Sequence, residues 1–164
     1  TVASEPGAGS TFTFYLPASA EKIEHKKVAG EVNSDGKGRI LVMDDEDIIR
    51  DMAQELLSGL GYDVELAGDG VEALNRYQEA RASGAPVDAV IMDLTIPGGM
   101  GGEEAIQKLL AIDPEARAIV SSGYSNNPIM ADYKKYGFSG VLAKPYKITE
   151  LSAVLQSVMN GKSA

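Results

Sequence analysis

Four acidic residues in a row, Asp44, Asp45, Glu46 and Asp47, directly follow the apolar run Ile40–Met43. A further acid, Asp93, closes a second apolar run, Val87–Met92. Two hydroxyls, Ser121 and Ser122, follow the run Ala118–Val120, and Lys144 follows Val141–Ala143. Each has a plain structural use on its own. An Asp just past a strand often caps the next helix, and Asp47 reads as a cap or a first-turn acid favoured by the helix dipole. Ser122-Gly123 is a common turn and Lys144-Pro145 a common solvated loop. The conjunction points to chemistry, because carboxylates crowded together repel and raise one another's pKa. A hard divalent cation relieves that, and Mg2+ takes oxygen ligands while keeping several waters.

These residues converge only if the elements carrying them share a sheet. The runs Ile40–Met43, Val64–Ala67, Val87–Met92, Ala118–Val120 and Val141–Ala143 read as strands. Segments with helical spacing separate them. One stripe is Ile48, Ile49, Met52, Ala53, Leu56, Leu57 and Leu60; another, over Glu104–Ile112, turns Ala105, Leu109 and Ile112 inward. Leu151, Val154, Leu155 and Val158 form the last, and Pro128 to Tyr136 is the least periodic helix. Such alternation predicts an α/β fold with a parallel sheet covered by helices on both faces. The apolar runs Ile40–Met43 and Val87–Met92, the second interrupted only by Asp88, suit central strands. Val64 and Leu66, alternating with Asp63 and Glu65, suit an edge. Ligands of such sheets bind beyond the carboxyl ends of the strands, where the acids, the hydroxyls and Lys144 all fall.

Residues 39–164 closely resemble the receiver domain of bacterial two-component response regulators. The matching residues are Asp44-Asp45, Asp93 after its apolar run, Pro97, Ser122-Gly123 and Lys144-Pro145-Tyr146. Asp93 lies 48 positions after Asp45, Ser122 29 after Asp93, and Lys144 22 after Ser122. The resemblance implies a flavodoxin-like doubly wound five-stranded parallel sheet of order 2-1-3-4-5 with five helices. It implies that Asp93 takes a phosphoryl group from a phosphohistidine. Mg2+ is implied on Asp45, Asp93 and the backbone carbonyl of Thr95, with Asp44 acting mainly through a metal-bound water. Ser122 and Lys144 are implied as partners of phosphoryl oxygens. Phosphoryl transfer rests mostly on positioning and charge stabilisation, which such groups supply. Ser122 is preferred to Ser121 because the small Gly123 follows it; Ser121 is expected to end its strand, pointing into the sheet. Lys144-Pro145 is expected to be cis.

Some features depart from the family. An aromatic residue usually stands three positions before the lysine, where this chain has Val141, which implies a muted or relocated switch there. Tyr124 and Tyr146 are the candidate substitutes, Tyr146 being better read as structural. The loop Pro97-Gly98-Gly99-Met100-Gly101-Gly102 matches neither a P-loop nor a dinucleotide fingerprint, and reads as a flexible loop before the third helix. His25 lacks the context of a kinase histidine and reads as a solvated linker residue. Tyr133 and Tyr136 read as core packing. Two alternatives stay open: a Mg2+-dependent phosphohydrolase with an aspartyl nucleophile, and a non-phosphorylated interaction module. Against the first, Thr95 stands where that class wants a second Asp.

Residues 1–17 alternate from Ser10 to Leu16 after turn chemistry at Glu5–Gly9. They resemble the final hairpin of a sensor histidine kinase ATP-binding domain through Ser4, Gly7, Gly9, Ser10, Thr11, Phe12, Leu16 and Pro17. Residues 18–38 are polar and aperiodic and read as a linker, with a short helix around Ala20 to Lys27. The chain opens on Thr1, and the expectation is an excerpt of a hybrid sensor histidine kinase, with no independent enzyme in it. No DNA-binding domain is expected after Ala164. The expected partners are therefore the kinase core, in cis or in trans, or a histidine phosphotransfer protein. Composition agrees: 24 acidic against 15 basic residues argue against nucleic-acid and anionic-membrane partners. The absence of Cys excludes disulfides and thiolate chemistry. No apolar run approaches the ~20 residues of a membrane span, so the domain is expected to be cytoplasmic, its parent kinase free to carry an anchor.

Overall fold

The computed structural model describes residues 1–17, 36–123 and 127–161. The proposed helix around Ala20, most of the linker, His25 and Tyr124 lie outside these. The chain opens with an antiparallel hairpin, β1 (Val2–Glu5) and β2 (Gly9–Phe12), with Val2 opposite Phe12. Alternation predicts a strand reaching Leu16; β2 ends at Phe12, with one further exchange beyond it, the Thr13 N–H donating to the Thr1 carbonyl at 2.8 Å and the Thr1 ammonium to the Thr13 carbonyl at 2.7 Å. Phe14, Tyr15 and Leu16 are left exposed.

A βα alternation follows: β3 (Arg39–Met43), α1 (Asp47–Gly59), β4 (Asp63–Ala67), α2 (Gly70–Ala82), β5 (Ala89–Asp93) and α3 (Gly102–Ile112). It continues through β6 (Ala118–Ser122), α4 (Pro128–Ala131), a 3-10 helix at Tyr133–Tyr136, β7 (Gly140–Ala143) and α5 (Ile148–Met159). The five later strands form one parallel sheet of order β4-β3-β5-β6-β7, the expected 2-1-3-4-5. β4 is an edge, and β3 and β5 are central and buried, as their apolar runs require.

Strand alternation sends successive side chains to opposite layers. Leu41, Met43, Val90, Met92 and Val120 pack with α2 and α3 through Leu74, Tyr77, Ile106 and Leu109. Ile40, Val42, Ile91, Ile119 and Leu142 pack with α1 and α5 through Leu57, Leu60, Leu151 and Leu155.

Three expectations shift. Ile48 does not join the buried stripe of α1; it stands in the first turn, at the carboxyl end of the sheet, and is 73% exposed. In α3 the fully buried residue between Ala105 and Leu109 is Ile106, while Ile112 is only partly buried. The segment Pro128–Tyr136 is not one helix. Asn127 caps an α-helical turn that stops at Asp132, whose φ of −116° and ψ of 33° leave the helical region. The 3-10 helix that follows closes on Gly137, at φ +96°, a conformation glycine adopts readily. Ile129 and Met130 still reach the core, with Tyr133 and Tyr136 packed beside them. Among the described residues no helix is long and apolar enough to cross a membrane.

Candidate functional site: an acidic pocket at the strand ends

Asp44 is the first residue beyond β3, and its N–H extends the sheet by donating to the Ala67 carbonyl at 3.0 Å. Its carboxylate is wholly buried: Oδ1 accepts the Glu46 N–H at 3.1 Å, and Oδ2 lies 2.5 Å from Lys144 Nζ. Asp45 is exposed at the mouth. Glu46 occupies the N-cap of α1 without a side-chain cap bond, and Asp47 is a first-turn acid, as expected.

Asp93 ends β5, 7% exposed, with Oδ1 2.9 Å from Lys144 Nζ. Carboxylate oxygens of Asp44, Asp45 and Asp93 all lie within 4.8 Å of one another. Three hard oxygen donors this close, one of them exposed to an entering ion, fit Mg2+. Lys144 follows β7, and its N–H donates to the Ser122 carbonyl at 3.0 Å. The Lys144-Pro145 bond is cis, as expected.

Burial pushes the Asp93 carboxyl above the ordinary Asp range, and Lys144 only partly offsets it. Burial pulls the other way on Lys144, but the bonds to Asp44 and Asp93 outweigh it and raise the ammonium above its usual value. Lys144 is therefore charged at neutral pH.

β6 runs one residue further than expected, ending at Ser122 rather than Ser121. Ser121 is fully buried, and its Oγ lies 2.9 Å from the Tyr146 hydroxyl. Ser122 is 3% exposed. Tyr146 is buried among α1- and α5-side residues, which supports its structural reading, and burial pushes its phenol up to about 12. Val141 packs beside Tyr133 and Tyr136 against the other layer. Thr95 lies exposed two residues past Asp93.

The glycine loop does precede α3, but it is fastened at both ends. Gly70 N–H donates to the Met100 carbonyl at 2.8 Å, and Gly102 N–H to the Leu94 carbonyl at 3.2 Å. A Cβ at Gly101 would sit 2.5 Å from the Leu94 oxygen, and one at Gly102 2.8 Å from the Asp93 oxygen. These residues have no side chain because the backbone behind Asp93 occupies the space. Arg50 was also absent from the sequence-derived candidates, although its i,i+3 spacing from Asp47 signals an ion pair.

The model of the response regulator receiver domain matches residues 40–156. The chain belongs to that family. It is thus a receiver domain of two-component, phosphorelay-type signalling. It is 31% identical to the chemotaxis protein CheY of Thermotoga maritima, over 73% of this chain and 96% of that protein. It is 30% identical to sporulation initiation phosphotransferase F of Bacillus subtilis, over 76% and 96%. Sensor kinase CckA of Brucella abortus is 29% identical over 95% of this chain, which spans only 17% of that kinase. Among solved structures, the receiver domain of a sensor histidine kinase from Pseudomonas aeruginosa PAO1 aligns with a TM-score of 0.67 and 25% identity. It covers 77% of this chain and all of that one, and carries a magnesium ion in its active-site cleft.

Proposed function

We propose that this receiver accepts a phosphoryl group on Asp93 from a phosphohistidine, with Mg2+ held by Asp45, Asp93 and the Thr95 carbonyl, and by Asp44 through water. The observation that carries the proposal is the Lys144 ammonium set against both Asp44 and Asp93 within a cluster of three carboxylates. An Asp93 oxygen attacks phosphorus as the phosphorus–nitrogen bond breaks, and the imidazole leaves with the bonding electron pair. Lys144, already held at Asp93, pairs with one phosphoryl oxygen, and the Ser122 hydroxyl donates to another. Mg2+, when bound, supplies the charge neutralisation that three carboxylates and an incoming phosphoryl group require.

The parent is read as a hybrid sensor histidine kinase, in which residues 1–17 are the closing hairpin of the ATP-binding domain, 18–38 a linker and 39–164 the receiver. Support comes from the alignment to sensor kinase CckA, which at 95% of the chain extends past the receiver match into the N-terminal segment. The donor is then the kinase core, in cis or in trans, or a histidine phosphotransfer protein.

The test is to incubate the chain with acetyl phosphate and Mg2+ and to map the product by mass spectrometry. The expected product is an acid-stable, base-labile adduct on Asp93 that is absent from Asp93→Asn. No adduct from acetyl phosphate or from a phosphorylated kinase would leave an interaction module. Rapid turnover of unrelated phosphate esters would favour a hydrolase.

A further inference from the structure

Arg50 lies at the end of the first turn of α1, its side chain 18% exposed. Its Nη1 donates to the backbone carbonyl of Asp44 and its Nη2 to the carboxylate of Asp47. Nη1 also sits 3.9 Å from where a Cβ on Gly68 would lie, so the guanidinium rests against the β4–α2 loop. That loop is itself tied down. Gly68 N–H donates to Glu72 Oε2 at 2.7 Å, and Glu72 N–H to Asp69 Oδ1 at 2.9 Å. Arg50 therefore joins the acidic β3–α1 loop to its neighbour, and the phosphoryl chemistry proposed above does not use it.

We infer that Arg50 is a positioning residue for the divalent-cation site. Its two nitrogens fix the Asp44–Asp45 peptide and Asp47 together, so that Asp45 is presented to the same point as Asp44 and Asp93. The inference rests on the metal reading given above. A planar fork can hold a carbonyl and a carboxylate at once, whereas a lysine carries the same charge without that geometry. Outer partners that orient metal ligands typically contribute 10–100-fold in metal affinity.

Charge and positioning predict opposite signs. If Arg50 acted only as a positive charge, removing it would make the pocket more negative and tighten Mg2+ binding. If it positions the ligands, removing it weakens binding, and Lys does not restore it.

The experiment is a calorimetric titration of MgCl2 into the wild-type chain, Arg50→Gln and Arg50→Lys, each with a thermal melt. The expected result is a dissociation constant raised about 10-fold or more in both folded variants. Tighter binding by Arg50→Gln, or wild-type affinity in Arg50→Lys, overturns the inference while leaving the metal site standing. If Arg50→Gln fails to fold, Arg50→Lys decides alone; if both fail, the role is structural and the inference falls. A wild-type chain that binds no Mg2+ overturns the metal reading together with the inference.

Discussion

Ser121 and Ser122 are adjacent and both buried, yet the function proposed above gives them different roles. Register alone sets Ser121 opposite Asp93. The Ser121 hydroxyl, however, is already bonded to Tyr146, beneath the pocket rather than in it. Ser121→Ala is expected to leave the Tyr146 hydroxyl without its partner, at a cost of about 1–3 kcal/mol in unfolding free energy, with the phosphoryl lifetime on Asp93 unchanged. Ser122→Ala is expected to alter that lifetime. Urea titration and decay of the phosphorylated species, measured on both variants, check the assignment; the reverse pattern would move the role to Ser121. At this scale the acids and Lys144 were legible in the sequence, because each closes an apolar run that could only be a buried strand. The links from Lys144 to both Asp44 and Asp93, and from Ser121 to Tyr146, were not. They depend on where strands far apart in sequence come to rest side by side.

Among the elements, the β5–α3 loop shows how a local composition can mislead. Four glycines in six residues suggest freedom of movement. Two of them instead mark close packing of α3 against the backbone of Asp93 and Leu94. Gly102→Ala is therefore expected to destabilise the fold by about 1–3 kcal/mol, as overpacking does, and to slow phosphorylation by displacing Asp93. Gly59→Ala serves as the contrast, since an added Cβ there meets nothing within 4 Å. Gly59 is the last residue of α1, so relief of the entropy that a glycine loses in a helix is expected to stabilise that variant by less than the roughly 0.5–1 kcal/mol of an interior site. Urea midpoints of both variants, with initial phosphorylation rates, read the difference. The helices that periodicity marked clearly are present. The segment 128–136 broke where no periodic pattern could have shown it, at Asp132, because a 3-10 helix buries Tyr133 and Tyr136 only partly.

Across the whole molecule, the sheet separates two apolar layers, and each contains a buried tyrosine. Tyr77, bonded to Asp113 Oδ2 at 3.0 Å, lies on the α2–α3 side, and Tyr146 on the α1–α5 side. Burial pushes both phenols from 10.0 up to about 12. Below pH 10 both are neutral in the folded and the unfolded chain, and their contribution to stability is complete. As pH rises from 10 toward about 12, the unfolded chain sheds these protons while the folded one retains them. Stability therefore falls across that window. Urea unfolding between pH 9 and pH 12 is expected to show the decline, and Tyr146→Phe and Tyr77→Phe each to flatten it. Net charge was legible from composition, but its concentration at the strand ends was not. Three carboxylates against one ammonium leave the pocket with two uncompensated negative charges. That deficit equals one divalent cation, and a phosphoryl group, carrying a charge of about −1.5 to −2, reopens it. On the function proposed above, cation and phosphoryl group would be thermodynamically linked through the pocket's charge: whatever factor one gained from the other's presence, the other would gain equally.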